Sequence, residues 1–274
     1  MNFEALQRIV ASDIQGRGVS VLCCPGFWET ALRLFIKASR IVIVTGFYIK
    51  QAGAPETDGP PGAVVLGRAA ARTGKSVTLV TDSRNCSCLT ACSRRVNGPV
   101  VISADGYEEI PSNMDLLVFI ERPGHAPDGR YYDMKGTDIS DVVAPLDRAS
   151  DAALKMGVPV LGIGDGGNET GMGLLYDALA ERLPRYASFL SIVSATVCLP
   201  VDVSNWGAYA LSAVLSAFYR RWLGLDDGEE GAMLEAIVDA GAVDGFTGRP
   251  SQSVDGIPLR SLDETALRIR SWYS

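Results

Sequence analysis

Six runs of apolar, mostly β-branched residues recur along the chain and predict buried strands. The runs occupy residues 41–47, 76–82, 99–105, 115–121, 158–164 and 190–196. They are nearly continuous in apolar residues rather than alternating between apolar and polar. This pattern is typical of strands in a parallel sheet, because helices cover both faces of such a sheet.

Segments with apolar residues at helical spacing lie between several of these runs. The segment 62–74 stops at Gly74 and the segment 141–157 stops at Gly157, and a glycine commonly follows the last turn of a helix. A further helix is predicted at 170–183. The alternation of strands and helices predicts an α/β fold, with a doubly wound, mostly parallel sheet flanked by helices.

Both ends of the chain are predicted to add helices to this core. These helices fall within 2–38, with a break at CCPG, and at 206–224, 230–240 and 258–273. We therefore expect a single α/β domain over residues 1–274, with its core at about 39–224 and a C-terminal helical extension at 225–274. The apolar stretch 206–219 suits either the core or a subunit contact in a homo-oligomer, and the sequence leaves both open.

The charge of the chain narrows the class of partner. The formal net charge of −7 argues against nucleic-acid binding, because nucleic-acid-binding proteins normally present a basic face. The start of the chain lacks a basic region followed by a long apolar stretch, and no apolar run reaches the roughly 20 residues that cross a bilayer. We expect a cytoplasmic protein that binds a small molecule, with neither a nucleic-acid nor a membrane partner.

The spacing of Cys86, Cys88 and Cys92 suggests a metal site, but no second cysteine pair or nearby histidine completes four ligands. We therefore expect reduced cysteines that serve as small side chains.

The glycine-rich stretch GIGDGGNETG, residues 162–171, follows a predicted strand and resembles a dinucleotide-binding turn. Gly162, Gly164 and Gly167 match the pattern G-x-G-x-x-G. Two features argue against that interpretation. Residues 184–196 contain no acid to bind a ribose, and Asp165 would repel a pyrophosphate.

A second interpretation of this stretch is a cation site. Asp165, Asn168 and Glu169 offer the carboxylate and amide oxygens that Mg²⁺ and Mn²⁺ prefer. A third interpretation is purely structural, in which Asn168 or Thr170 caps the following helix. The residues alone leave these interpretations open.

Other polar residues are expected at the same edge of the sheet, where open α/β sheets bind ligands. Four polar residues stand at strand ends: Thr45, Asp82, Glu121 and Asp165. The three carboxylates among them would repel one another unless a cation or an ammonium group neutralised them. Arg122 and Lys135 suit either a clamp on a substrate carboxylate or surface ion pairs. Asp82 suits a helix cap equally well.

Several segments together resemble the D-glutamate cyclase C-terminal domain family. They are IVTGFYI and ETDGPPGA within 41–63, ERPG at 121–124, YYDMKGTDIS at 131–140, IGDGGNETGMG at 163–173 and SNWGAYAL at 204–211. The resemblance covers about residue 20 to residue 224 and identifies the chain as similar to stand-alone bacterial members.

The resemblance implies a hydro-lyase that dehydrates D-glutamate to 5-oxo-D-proline with the help of a divalent cation, Mn²⁺ or Mg²⁺, and with no organic cofactor. Cyclisation joins the substrate's amine to its γ-carboxyl carbon. The reaction needs a base for the ammonium group, neutralisation of a carboxyl oxygen and a folded-back substrate.

The resemblance also implies roles for particular residues. It suggests catalytic residues Asp165, Glu169 and Glu121, and metal ligands Asp165, Asn168 and Glu169. The expected substrate-binding residues are Thr45, Gly46, Glu56, Thr57, Asp58, Arg122, Asp133, Lys135, Gly166, Gly167, Asn168 and Asn205, with Trp206 beside them. The alternatives are a non-catalytic module that binds an acidic amino acid and a nicotinamide-dependent enzyme.

Overall fold

A computed structural model describes all 274 residues. Its strands are β1 (Arg40–Thr45), β2 (Tyr48–Ile49), β3 (Ala54–Pro55), β4 (Ser76–Thr81), β5 (Val100–Ser103), β6 (Leu116–Ile120), β7 (Val160–Gly164), β8 (Val197–Pro200), β9 (Ser253–Val254) and β10 (Ile257–Pro258). Its helices are α1 (Phe3–Val10), α2 (Pro25–Lys37), α3 (Pro60–Ala71), α4 (Cys86–Arg95), α5 (Arg148–Lys155), α6 (Tyr176–Arg182), α7 (Ser204–Tyr219), α8 (Glu229–Asp239) and α9 (Leu259–Tyr273).

Six strands form one parallel sheet in the order β5-β4-β1-β6-β7-β8, and two short hairpins, β2-β3 and β9-β10, lie outside it. The chain builds outward from β1 through β4 to β5, then returns to the other side of β1 and continues through β6 and β7 to β8. This topology confirms the predicted doubly wound sheet. The strand order reverses between β1 and β6, which is where such sheets bind ligands.

Alternate residues of the strands pack on opposite faces of the sheet. Ile41 and Ile43 of β1 belong to the larger apolar cluster, together with residues of α2, α3 and α7. Val42 and Val44 belong to a smaller cluster that includes residues of α5. Burial on both faces explains why these strands read as continuous apolar runs.

The sixth strand lies later in the chain than the sequence predicts. The structure has β8 at Val197–Pro200, whereas the segment 190–196 forms no strand. Leu190 instead packs with Cys198 in a small cluster beside α6. Pro200 is tolerated in β8 because the strand is at the edge of the sheet and the proline ends it.

Helix boundaries also differ from the predictions. The segment 141–157 contains a 3₁₀ turn at Ser140–Val142 and then the shorter α5, and the segment after the glycine loop begins as a 3₁₀ turn at Met172–Leu175 before α6. The unpredicted helix α4 carries the clustered cysteines. Cys88 and Cys92 are buried on one face of it, and all six cysteines are free.

The terminal helices share the main core. The larger apolar cluster extends from Leu6 in α1 to Ile269 in α9, beyond the core predicted at 39–224. Residues 204–216 of α7 are buried within the chain, so this apolar helix belongs to the core of the subunit. None of the helices has both the length and the apolar character needed to span a membrane.

Candidate active site

Polar residues meet where the strand order reverses. The register pairs Thr45 of β1 with Ile120 of β6, and Ile120 with Ile163 of β7. Glu121 and Asp165 come just after β6 and β7 and therefore leave the sheet at the same edge. Glu121 has a φ of 44°, a left-handed conformation uncommon for a residue with a side chain.

Three carboxylates converge at this edge. One oxygen from each of Asp58, Glu121 and Asp165 lies within 4.8 Å of the other two, and all three residues are buried. We call these residues the acid trio. They come from the loop before α3 and from the ends of β6 and β7.

The first turn of α7 holds two members of the acid trio. The carboxylate of Asp58 accepts hydrogen bonds from the backbone N–H groups of Ser204 (2.9 Å) and Asn205 (2.8 Å). The Ser204 hydroxyl donates to Glu121 at 2.6 Å. A helix N-terminus stabilises negative charge, which helps to explain how buried acids are tolerated here.

Asp165 has one oxygen paired and the other free. Its Oδ1 accepts a hydrogen bond from Arg17 Nη1 at 2.5 Å, and Arg17 Nη2 lies 3.0 Å from Asp255. The Oδ2 atom of Asp165 is buried and receives no hydrogen bond from a nitrogen or hydroxyl group. A buried carboxylate oxygen without a donor is costly, so it points to a missing cation or proton.

Burial raises the pKa values of these acids. It raises the pKa of Asp165 to about 8, with Arg17 offsetting part of the effect, and the pKa of Asp58 to about 7, where Asp255 adds to it. Burial, with neighbouring carboxylates, also raises the pKa of Glu121, Glu56 and Asp255 well above the usual range. Near neutral pH the cluster therefore retains protons, which an incoming cation could displace.

A cleft of about 610 Å³ opens above the acids. Its volume lies within the roughly 300–1,000 Å³ typical of small-molecule sites. Its acidic lining residues are Glu56, Glu121, Asp133, Asp165, Glu169 and Asp255. Asp165 and Glu169 thus share one cleft with residues of the 46–63 segment, as the sequence predicts.

Glu169 is turned back into its own loop. Its carboxylate accepts backbone hydrogen bonds from Gly166 (2.6 Å), Gly167 (2.8 Å) and, more weakly, Asp165 (3.3 Å). Glu169 therefore occupies the two glycine amides that are expected to donate to a substrate carboxylate, and in this conformation they are not open to the cleft. The same amides are unavailable to a pyrophosphate, which disfavours the dinucleotide interpretation.

The metal ligands expected from the glycine loop, Asp165, Asn168 and Glu169, all line the cleft, but two of them also make contacts within the protein. Asn168 is buried and donates from Nδ2 to the carbonyl of Tyr132 at 2.8 Å, which ties the loop to the opposite wall. Glu169 is engaged by its loop, and among the buried carboxylate oxygens of that set Oδ2 of Asp165 lacks a hydrogen-bond partner. Asp58 and Glu121 are its neighbours instead.

Arg122 does not face the cleft. It forms a fully buried ion pair with Asp82 and donates to the carbonyls of Gly46 (3.0 Å) and Ala144 (2.6 Å). In this structure its donors serve the loops that frame the site, and its expected role as a substrate clamp stays a prediction that would require these contacts to change. Asp82 is the partner of Arg122 and also accepts from the backbone N–H of Asn85 at the start of α4 (3.1 Å).

Thr45 and Gly46 lie at the base of the site. Thr45 is buried, and its hydroxyl has no hydrogen-bond partner. Gly46 has a φ of 112°, and a Cβ there would lie 2.6 Å from the Thr81 hydroxyl. Glycine is therefore required at this position by both conformation and space.

Asp133 and Lys135 lie at the rim of the cleft. Asp133 accepts the backbone N–H groups of Lys135 (2.9 Å) and Thr137 (2.8 Å), and the side-chain amide of Gln51 (2.8 Å). The carboxylate of Asp133 thus closes a turn and joins it to the β2–β3 hairpin. Lys135 is exposed at the rim.

Thr57, Asn205 and Trp206 support the site without facing the cleft. Thr57 donates to the carbonyl of Ser253 at 2.8 Å. The side-chain oxygen of Asn205 accepts from Gly59 (3.0 Å) and Gly62 (2.8 Å) at the start of α3. Trp206 belongs to the main core. The contacts of Asn205 fix α3 and α7 relative to each other, which gives Asn205 a supporting role in this structure.

The site also includes residues that the sequence did not indicate. Arg17 comes from the segment after α1, and Asp255 and Phe246 come from the C-terminal segment that walls the cleft. Glu56 connects to that segment through a bridge with Val243. The sequence places these residues in terminal additions, away from strand ends, so strand topology could not locate them.

Known proteins resemble the chain over most of its length. A family model described as D-glutamate cyclase-like, C-terminal, matches residues 6–269. The mitochondrial D-glutamate cyclase of Homo sapiens is 30% identical over 237 residues, which cover 78% of this chain and 38% of that protein. The chain thus corresponds to less than two fifths of the human protein's length. These matches confirm the resemblance of the sequence motifs.

One solved structure that aligns with the chain is an exopolyphosphatase-related protein from Bacteroides fragilis. It is 9% identical, with a TM-score of 0.45, and the alignment covers 91% of this chain and 57% of that chain.

Proposed function

The chain belongs to the D-glutamate cyclase-like family through its match to the C-terminal region, and we propose that it is a lyase that converts D-glutamate to 5-oxo-D-proline. The observation that carries the proposal is the acid trio, of which Glu121 and Asp165 line the cleft, with the free Oδ2 of Asp165 among its oxygens. The name of the human relative supports the substrate.

The reaction is an intramolecular condensation. The amine nitrogen forms a bond to the γ-carboxyl carbon, the bond between that carbon and one carboxyl oxygen breaks, and this oxygen leaves as water. Starting from the ammonium form, nitrogen gives up two protons and the departing oxygen takes up two. The site must therefore remove protons from nitrogen and supply protons to oxygen.

Buried carboxyls suit this proton transfer. Burial raises the pKa of Asp165 to about 8 and that of Asp58 to about 7, so each group exchanges protons near neutral pH. We assign Asp165, which lines the cleft, as the group that accepts the ammonium proton, through the carboxylate oxygen that the cation does not take. Glu121, bound to the Ser204 hydroxyl, is the neighbouring carboxyl for proton exchange.

The acid trio also fits a divalent cation. The donor set consists only of carboxylate oxygens, which Mn²⁺ and Mg²⁺ prefer, and a cation would satisfy the Asp165 oxygen that lacks a partner. Asp58, Glu121 and Asp165 would hold the ion, and Glu169 would fix the loop around it. A bound cation supplies Lewis-acid chemistry by neutralising charge on a carboxylate oxygen.

Incubation of the purified protein with D-glutamate and MnCl₂, followed by NMR, tests the proposal. We expect 5-oxo-D-proline to appear and the Asp165→Asn variant to form at least about 100-fold less, since loss of a positioned acid–base group costs roughly 10²–10⁴-fold. Asp115→Asn is the matched control, because Asp115 pairs with Arg40 at the start of β1, away from the cleft.

The absence of product from either glutamate enantiomer, with metal present, would refute the lyase proposal. If D-glutamate and Mn²⁺ then raised the melting temperature without turnover, the chain would be a binding module for an acidic amino acid. Stabilisation by NAD alone would support the nicotinamide alternative.

A further inference from the structure

Arg17 is the single arginine among the residues that line the cleft. Its guanidinium group contacts Asp165 at 2.5 Å and Asp255 at 3.0 Å, and its side chain is 27% exposed. Two lysines also line the cleft. Lys50 is paired with Asp141 at 2.6 Å and with the carbonyl of Asp138, and Lys135 is exposed at the rim. Arg17 is therefore the cation placed against the acids themselves.

The pairing of Arg17 with Asp165 is in conflict with cation binding. Arg17 occupies Oδ1 of Asp165, a carboxylate of the acid trio, while Oδ2 lacks a partner. A divalent cation held by the trio would compete with the guanidinium group for this carboxylate and would repel it. One of the two positive charges must then find another partner.

The segment that carries Arg17 is anchored behind the arginine and open around it. Asp202 accepts the backbone N–H groups of Ser12 (2.9 Å) and Asp13 (2.8 Å), which fixes the start of the segment. Arg17 stands between Gly16 and Gly18, both with positive φ, and a Cβ at Gly16 would meet no atom within 4 Å. Arg17 itself lines the cleft of about 610 Å³, so its side chain has open volume in which to change partners.

A dicarboxylic ligand would supply the new partner. An acidic floor repels the carboxylates of such a ligand, so at least one cationic group must receive them. The planar fork of arginine matches a carboxylate with two parallel hydrogen bonds.

We propose that Arg17 is the specificity residue for a dicarboxylic amino acid: it releases Asp165 to the incoming divalent cation and binds a carboxylate of the ligand. This inference rests on the proposed function, because it takes D-glutamate as the ligand. Under this inference Arg17, which lies outside the sheet, selects ligands that carry two carboxylates over ligands that carry one.

Calorimetric titration with Mn²⁺ alone tests whether Arg17 competes with the cation for Asp165. Arg17→Met should bind Mn²⁺ about fivefold more tightly than the wild type, which corresponds to removal of a competing, partly exposed ion pair. Arg40→Met is the matched control, because it also removes an arginine paired with an aspartate, outside the cleft, and it should bind Mn²⁺ as the wild type does. Unchanged or weaker Mn²⁺ binding by Arg17→Met would overturn the competition.

Titration of three ligands in the presence of Mn²⁺ tests whether Arg17 binds a carboxylate of the ligand. Arg17→Met should weaken D-glutamate binding by roughly 10- to 100-fold, the range for a hydrogen-bonded charge pair. D-Glutamine and D-isoglutamine each replace one carboxylate by an amide. For one of these two ligands, Arg17→Met should cause almost no further loss, and that ligand identifies the carboxylate that Arg17 binds.

An equal loss for all three ligands, or no loss for D-glutamate, would overturn the specificity role. Arg17→Lys keeps the positive charge but lacks the planar fork of the guanidinium group. Its affinity for Mn²⁺ should equal that of the wild type, and its affinity for D-glutamate should fall less than that of Arg17→Met. This variant serves as the test if Arg17→Met fails to fold. If the wild type binds none of the three ligands, the proposed D-glutamate function fails. The Mn²⁺ titration still decides whether Arg17 competes with the cation.

Discussion

The ion pair between Arg122 and Asp82 predicts a large loss of stability when its charge balance is broken. The side chains are 1% and 3% exposed. Asp82→Asn would leave the guanidinium group buried without an opposite charge, with only neutral oxygens, among them the carbonyls of Gly46 and Ala144, as acceptors. A buried ion that loses its partner costs about 3–5 kcal/mol, and we expect a loss of this size in the free energy of unfolding.

The complementary variant should cost less. After Arg122→Met, Asp82 still accepts hydrogen bonds from the backbone N–H (3.1 Å) and side-chain amide (2.8 Å) of Asn85. We expect a loss of roughly 2–4 kcal/mol. The double variant leaves no unpaired charge, so its loss should be smaller than the sum of the single losses by about 2 kcal/mol.

Urea unfolding, followed by the fluorescence of the buried tryptophans Trp28 and Trp206, measures these differences by linear extrapolation. The reasoning would be refuted if both single variants lost less than about 1 kcal/mol and if Arg122→Met, while stably folded, lost D-glutamate binding. That result would restore Arg122 as a substrate clamp.

Three further perturbations have defined outcomes. Gly46→Ala should lower the free energy of unfolding by roughly 2 kcal/mol or more, measured in urea, because its φ of 112° and the Thr81 hydroxyl exclude a Cβ. Glu169→Gln should cost about 2–4 kcal/mol in the same assay, because an amide cannot accept all the backbone N–H groups that the carboxylate accepts. Asp147→Asn should lower the pKa of His125, measured by NMR titration of this sole histidine, because the 2.7 Å hydrogen bond to Asp147 raises it.

Each of these outcomes has a control or a contrary result. Gly241→Ala shares a similar positive φ, 104°, but has open space, so it should cost less than Gly46→Ala; equal losses would contradict the steric argument. A loss below about 0.5 kcal/mol for Glu169→Gln would show that its loop does not depend on the carboxylate. The pKa of His125 is raised on folding, so its contribution to stability should be complete below about pH 6.5 and lost as the pH rises through the folded pKa. An unchanged His125 titration in Asp147→Asn would contradict the assignment.

The sheet and part of the site follow from sequence pattern. Continuous apolar runs predict strands buried on both faces, and the parallel topology then brings Glu121 and Asp165 to one edge. The last strand was misplaced because 190–196 is as apolar and β-branched as a strand. The structure instead pairs Val197–Pro200 with β7, and pairing in the sheet depends on neighbours that a local pattern does not contain.

The composition of the acid trio could not be read from local spacing. Asp58 is held by the N-terminus of α7, which is 146 residues away in sequence, and Arg17 meets Asp165 across 148 residues. The loop sequence named Glu169 as a ligand, but the direction of the backbone amides in the folded loop turned its carboxylate inward. The types of residue were predictable, whereas their partners were set by tertiary contacts.

Crystals of the protein soaked with Mn²⁺ and D-glutamate would test the central claim most directly, through anomalous scattering from manganese. The account predicts one strong manganese peak coordinated by carboxylate oxygens of Asp58, Glu121 and Asp165, with the amino acid beside it in the cleft. A peak bound elsewhere, or none near these three residues, would contradict it.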